Sequence, residues 1–160
     1  MNPRASDLIR ALGLEPHPEG GYFREVFRSQ RNVKPLDERS ERSALTSIYF
    51  LLVKGQCSRW HRVRSDEAWH FQEGDPLVVV WIDADNGVHE ELLATGSPGG
   101  RSLCVVPAGC WQAAKPLGEF SLMGCTVGPG FDFQDFEMLS PDSEAVAPIT
   151  ALNPDFREFL

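Results

Sequence analysis

Turn-forming clusters interrupt this chain at short intervals, and that punctuation limits the fold more than any other feature. His17-Pro18-Glu19-Gly20-Gly21, Glu73-Gly74-Asp75-Pro76, Asp83-Ala84-Asp85-Asn86-Gly87 and Ser97-Pro98-Gly99-Gly100 each combine residues that favour tight reversals. The runs between them suit strands better than helices. Tyr22–Arg28 alternates apolar with polar residues, and Ala44–Val53, Cys57–Val63 and Glu67–Phe71 follow in quick succession. Leu77–Ile82 is continuously apolar, as expected of a strand buried on both faces, and Asn86-Gly87 supplies the positive φ angles of a hairpin back into Val88–Ala94. Leu103–Val106, Trp111–Ala114 and Phe120–Val127 complete the set. Many short strands with few helices imply an all-β antiparallel sandwich or barrel.

Two minor helices flank this core. Ser6–Leu12 predicts a short N-terminal helix, with Ser6 as cap, Leu8, Ile9 and Leu12 as its apolar stripe and Gly13 as its stop. Ser140-Pro141 predicts the start of a C-terminal one. Gln30–Arg42 reads as an exposed loop, Phe131–Phe136 as an alternating segment, and the last residues as loosely packed.

The 160 residues, 42% hydrophobic, are expected to form one domain, with its core over about 15–139 and a tail over 140–160. A formal net charge of −8 disfavours nucleic acid and anionic membranes as partners. No apolar run reaches membrane-spanning length. The N-terminal MNPRASDLIRALGL lacks the apolar stretch of a secretory signal, so the expected location is cytoplasmic. Cys57, Cys104, Cys110 and Cys125 form no C-x-x-C pair and are expected to be reduced thiols, with Cys57 and Cys110 close to the chemically interesting segments.

The chemistry concentrates between Gly55 and Gly74. His61 lies on one expected strand and Glu67 on the next. An imidazole and a carboxylate side by side in an apolar site tune each other's protonation, which suits proton transfer. They are also good ligands for Fe, Mn, Ni or Zn. His70 is the third candidate, although simple alternation places it on the face opposite Glu67 unless a bulge intervenes. Alternation also turns Arg62 and Arg64 away from His61, places Trp69 beside Glu67, and directs Trp111 outward. Lys115 is a candidate for the mouth of the pocket.

The order Gly55, His61, Val63, Glu67, Gly74 resembles the first motif of the cupin superfamily, with Val63 in place of its second metal-binding His. Val106-Pro107-Ala108-Gly109-Cys110-Trp111-Gln112 resembles the second motif, with Gln112 in place of its His. The segments EGGYFRE from Glu19, HRVRSDEAWHF from His61, VPAGCWQAA from Val106 and CTVGPGFDFQDFE from Cys125 are together similar to a subfamily of small single-domain, Cupin_5-like proteins. This resemblance implies a double-stranded β-helix, or jelly-roll, barrel and a homodimer. Gly21, Tyr22, Phe23 and Glu25 are also similar to a substrate-binding strand of dTDP-sugar epimerases, metal-free cupins in which a His is the base. The implied reading is a small-molecule pocket with His61 and Glu67 catalytic and Tyr22, Phe23, Glu25, Trp69, His70 and Gln112 binding substrate. It needs no cofactor and epimerises or isomerises a sugar or nucleotide-sugar-like compound. A metal-dependent oxygenase or lyase using His61, Glu67 and His70, and a ligand sensor without activity, are the alternatives.

Overall fold

The computed structural model describes residues 1–96 and 98–160. The turn expected at Ser97–Gly100 therefore begins at a residue outside those described. Helix α1 (Pro3–Leu12) is followed in chain order by β1 (Glu15–Pro16), β2 (Tyr22–Arg28), β3 (Asn32–Val33), β4 (Arg42–Ser43), β5 (Thr46–Val53), β6 (Ser58–Val63), β7 (Asp66–Gly74), β8 (Leu77–Ile82), β9 (Val88–Leu93), β10 (Leu103–Val106), β11 (Trp111–Pro116), β12 (Phe120–Gly128) and β13 (Phe136–Met138), and then by helix α2 (Val146–Leu152). A six-stranded sheet has the order β1-β2-β5-β12-β7-β10 and a five-stranded sheet the order β13-β6-β11-β8-β9. Every pairing between these strands is antiparallel. The two sheets form the expected jelly-roll arrangement, and the Asp83–Gly87 hairpin forms as expected, with Asn86 at φ 63°.

Alternation decides which side chains enter the space between the sheets. Phe50 and Leu52 from β5, Trp69 from β7, Met123 and Cys125 from β12, and Leu77 and Val79 from β8 make its core. Helix α1 covers the outer face of the six-stranded sheet, packing Ala5 and Leu8 against Leu51, Val53, Phe120 and Leu122. It begins earlier than expected. Asn2, not Ser6, caps it by accepting the Arg4 N–H at 2.9 Å, while the Ser6 N–H already donates to the Asn2 carbonyl. Gly13 ends it at φ 61°.

Other expectations change as well. The Gln30–Arg42 segment is not simply an exposed loop, because Arg39 and Arg42 turn inward and are buried against Asp135. The alternating segment Phe131–Phe136 does not run on as extended chain. Asp132 accepts the Gln134 N–H and bends Phe133–Asp135 into a 3-10 turn. The C-terminus is docked rather than loose: Phe156 and Phe159 are buried edge-on against Trp60, whose indole N–H donates to the Phe156 carbonyl at 2.9 Å. Ser140 starts no helix; α2 begins at Val146 without a side-chain cap.

Candidate functional site

A cavity of about 270 Å³ opens between the sheets, and strand register explains its lining. On β2 and β5, Phe23 faces Phe50 and Glu25 faces Ile48, all pointing inward. A bulge between Glu25 and Phe27 then shifts the alternation, so that Arg28, paired with Thr46, lines the cavity while Val26 and Phe27 are exposed. On β7 and β12, Glu67 faces Val127 and Trp69 faces Cys125. His61 and Val63 enter from β6. Phe131, Phe133 and Phe136 close one side and contact one another edge-on.

His61 is 1% exposed, and its Nδ1–H donates to the Arg59 carbonyl at 2.7 Å. That carbonyl can only accept, so the bond assigns the proton to Nδ1 and leaves Nε2 with its lone pair. Burial lowers the His61 pKa, against the opposing effects of Glu67 and the Arg59 carbonyl, so the ring is held neutral. Glu67 is held from behind. The Trp69 indole N–H donates to Gln112 Oε1 at 3.1 Å, which turns the Gln112 amide nitrogen toward Glu67 Oε2 at 2.7 Å. Burial, reinforced by the Glu19 charge, outweighs His61 and Gln112 and raises the Glu67 carboxyl to about 7.

His17 and Glu19 join this pair, and neither was expected in the site. Glu19 Oε2 lies 3.5 Å from His61 Nε2 and 3.4 Å from His17 Nδ1, while Oε1 accepts the Ser58 hydroxyl at 2.8 Å. Burial raises the Glu19 pKa against His17, Ser58 and Arg59, and it lowers that of His17 against Glu19. The turn carrying both residues docks closely. The Arg59 N–H donates to the Glu19 carbonyl, and a Cβ on Gly20, at φ 113°, would sit 2.2 Å from the Cys57 carbonyl oxygen. Their one sequence signal is the place of Glu19 at the head of the EGGYFRE segment. His17 reads locally as turn chemistry alone.

Of the residues expected in the pocket, His61, Glu67, Trp69, Phe23 and Glu25 line it. Gln112 stands behind Glu67 as a positioning group. Tyr22 does not face the cavity: it alternates with Phe23 and packs on the outer side with the α1 cluster. His70 also faces away, since it pairs with Gly124 between the inward pairs Trp69–Cys125 and Phe71–Met123. The β7 bulge lies beyond it, at Gln72, too late to turn it inward. Lys115 is not at the mouth; it pairs with Glu158 over the Phe159 ring. Arg62 and Arg64 point outward as expected, to Glu137 and Glu38, and the Arg62 guanidinium lies over Trp111. Cys104, Cys110 and Cys125 are buried, and burial pushes the Cys104 thiol up to about 12. No cysteine among the described residues is thereby prepared as a thiolate nucleophile.

The donor set does not fit the usual cupin metal. Val63 has no donor atom, the Gln112 oxygen is committed to Trp69, and His70 is on the other face. Among the described residues no group of three or more His, Cys, Asp or Glu is arranged to hold an ion. No helix among them is long and apolar enough to cross a membrane.

A family profile described as "Cupin superfamily (DUF985)" matches residues 6–139. The chain belongs to the cupin superfamily. This cupin is 31% identical to "Uncharacterized protein YML079W" of Saccharomyces cerevisiae, in an alignment covering 86% of the chain and 76% of the yeast protein. Among solved structures, it superposes on protein SO0799 from Shewanella oneidensis with a TM-score of 0.81 at 34% identity, covering 97% of this chain and 96% of that one. A hypothetical protein from Leishmania major gives 0.80 at 34% identity, with coverages of 94% and 93%. A Bacillus subtilis oxalate decarboxylase mutant gives 0.58 at 16% identity, covering 87% of this chain and 34% of the decarboxylase, which is a likeness of fold alone.

Proposed function

We propose that this cupin binds a small organic molecule between its sheets and moves a proton on it with His61 as base, without a metal. The observation that carries the reading is the His61 tautomer. With Nδ1–H donated to the Arg59 carbonyl, the basic Nε2 is presented beside the Glu19 carboxyl in a cavity that Glu67 and aromatic rings also line. His61 Nε2 takes the proton from a carbon next to a carbonyl. Glu67, whose pKa of about 7 makes both of its forms available near neutrality, donates to the carbonyl oxygen and takes that proton back when the carbon is reprotonated. Return of the proton to the other face gives epimerisation; return to the former carbonyl carbon, with Glu67 taking instead the proton of the neighbouring hydroxyl, gives isomerisation. A sugar-like keto compound suits the cavity better than its nucleotide conjugate. Arg28 is the one Lys or Arg among the described lining residues, and both Nε and Nη2 are already bonded to Glu25.

Solvent exchange tests the proposal. In a panel of keto sugars with and without an amino group, at least one member is expected to lose C–H signal in D2O in the presence of the native protein. His61→Gln is expected to slow the exchange by about 100-fold or more. Exchange that survives this substitution, or that disappears on removing a stoichiometric divalent metal, would overturn the reading.

A further inference from the structure

We propose that the cavity is built for a small organic ammonium compound. This rests on the reading of the cavity as a ligand site and names the chemical class it takes. Three independent features of the lining lead to it.

The first is its hydrogen-bond polarity. Glu67 Oε2 already has its donor in Gln112, while Oε1 has no protein donor among the described residues. Glu67 is 7% exposed and lines the cavity, so this oxygen waits for a donor there. Glu19 Oε2 faces His61 Nε2 and His17 Nδ1. The first nitrogen is a lone pair because Nδ1 holds the ring proton, and the second accepts the Glu19 backbone N–H at 3.3 Å. With both carboxyl groups ionised, the atoms that converge here are acceptors, and an occupant completes them by donating several hydrogen bonds.

The second is charge. Glu19 and Glu67 are buried, and no Lys or Arg among the described residues forms a salt bridge to either. Glu25 and Asp132 add carboxyl groups toward the Arg28 side of the lining, where the one guanidinium among the described lining residues is spent on Glu25 and on the Phe131 carbonyl. An uncharged polyol would supply donors but no counter-charge for the ionised forms of Glu19 and Glu67, which burial alone disfavours. An ammonium group supplies both.

The third is the walls. Phe23, Phe50, Trp69, Phe131, Phe133 and Phe136 line it; Phe50 meets Trp69, and Phe131, Phe133 and Phe136 meet one another, at 63° to 86°, and four of the six rings lie 4.5 to 6.4 Å from the His17 ring. Aromatic faces around a desolvated cation are favourable where they would not be around a carboxylate or phosphate.

Three probes of one shape separate charge from shape: benzylamine, benzyl alcohol and benzoate. Binding to the full chain is read by calorimetry and by the NMR signal of the Trp69 indole N–H, which reports on Glu67 through Gln112. Benzylamine is expected to bind at least tenfold more tightly than benzyl alcohol and to move the Trp69 signal, with benzoate weakest. The isosteric Glu67→Gln and Glu19→Gln variants are each expected to shrink the preference for the amine over the alcohol at least threefold. Equal or tighter binding of the alcohol or benzoate would overturn the ammonium assignment while leaving the proton-transfer reading to its own exchange test. An unchanged preference in both variants would overturn the assignment too. Failure of benzylamine to bind or to move the Trp69 signal would likewise overturn the ammonium assignment, while the exchange test alone decides the proton-transfer reading.

Discussion

Burial makes the Glu67 carboxyl a proton holder near neutrality, and this has a measurable effect on folding. Its pKa rises from 4.5 to about 7 in the folded protein. The folded state therefore keeps a proton that the unfolded chain has already lost between those values. The associated stability is fully present below pH 4.5 and is lost as pH rises through about 7. Glu67→Gln removes that dependence while keeping an acceptor for Gln112. Relative to the native protein, the variant is expected to gain on the order of 3 kcal/mol of stability between pH 4 and pH 8. Urea denaturation at the two pH values reads it, and a pH-independent difference would contradict the assignment. His61 and Glu67 were legible as a pair from their spacing and residue type. The role of Gln112 was only half legible. Its place in the motif was visible, but only the bond from Trp69 shows that it presents nitrogen rather than oxygen to the carboxylate.

Among the elements, the segment 133–138 shows how a site wall is held from a distance. Asp135 sits under Phe133 and Phe136 and receives Arg42 through Nε at 2.9 Å and Nη2 at 3.0 Å, with Arg39 Nη1 at 3.2 Å. Burial disfavours its charge, but the Arg42 and Arg39 guanidinium groups outweigh that and keep its pKa below the usual carboxylate range. Asp135→Ala leaves the inward-turned Arg42 without its carboxylate and Arg39 with Asp37 alone. It is expected to cost about 3 kcal/mol or more of stability, measured by urea denaturation, and to broaden the NMR signals of the Phe133 and Phe136 rings. A loss under about 1 kcal/mol would mean that the cluster does not hold the wall. The strands themselves were readable from alternation and turn chemistry. The Val26 bulge was not, although it alone brings Arg28 rather than Phe27 to the cavity. A bulge depends on which neighbouring strand is paired, and that partner, β5, is distant in sequence.

For the whole molecule, the C-terminal segment closes the outer side of the five-stranded sheet. Phe156, Phe159 and Ile149 bury Trp60, Val80 and Ala113 in a second apolar cluster behind His61. Trp60 and His61 are adjacent on β6 with opposite facing, so packing on the outer side supports the strand that carries the base. Phe159→Ala is expected to cost about 3 kcal/mol and to shift the Trp60 fluorescence toward that of an exposed indole. An unaltered emission and melting transition would return the tail to the loose packing its Pro-rich, polar composition suggests.

Local rules were sufficient for the strand-rich architecture, the β8–β9 hairpin, the N-terminal helix and the entry of His61 and Glu67 into one cavity, because alternation, turn preference and motif spacing act over a few residues. The outward facing of His70 followed from the same alternation once no bulge intervened before it. Only the tertiary structure brought His17 and Glu19 to His61, turned Tyr22 onto α1, buried Arg39 and Arg42 on Asp135, and docked the C-terminus. Each of these depends on contacts between segments far apart in the chain, where burial and hydrogen-bond completion override the local preference for an exposed turn or loop.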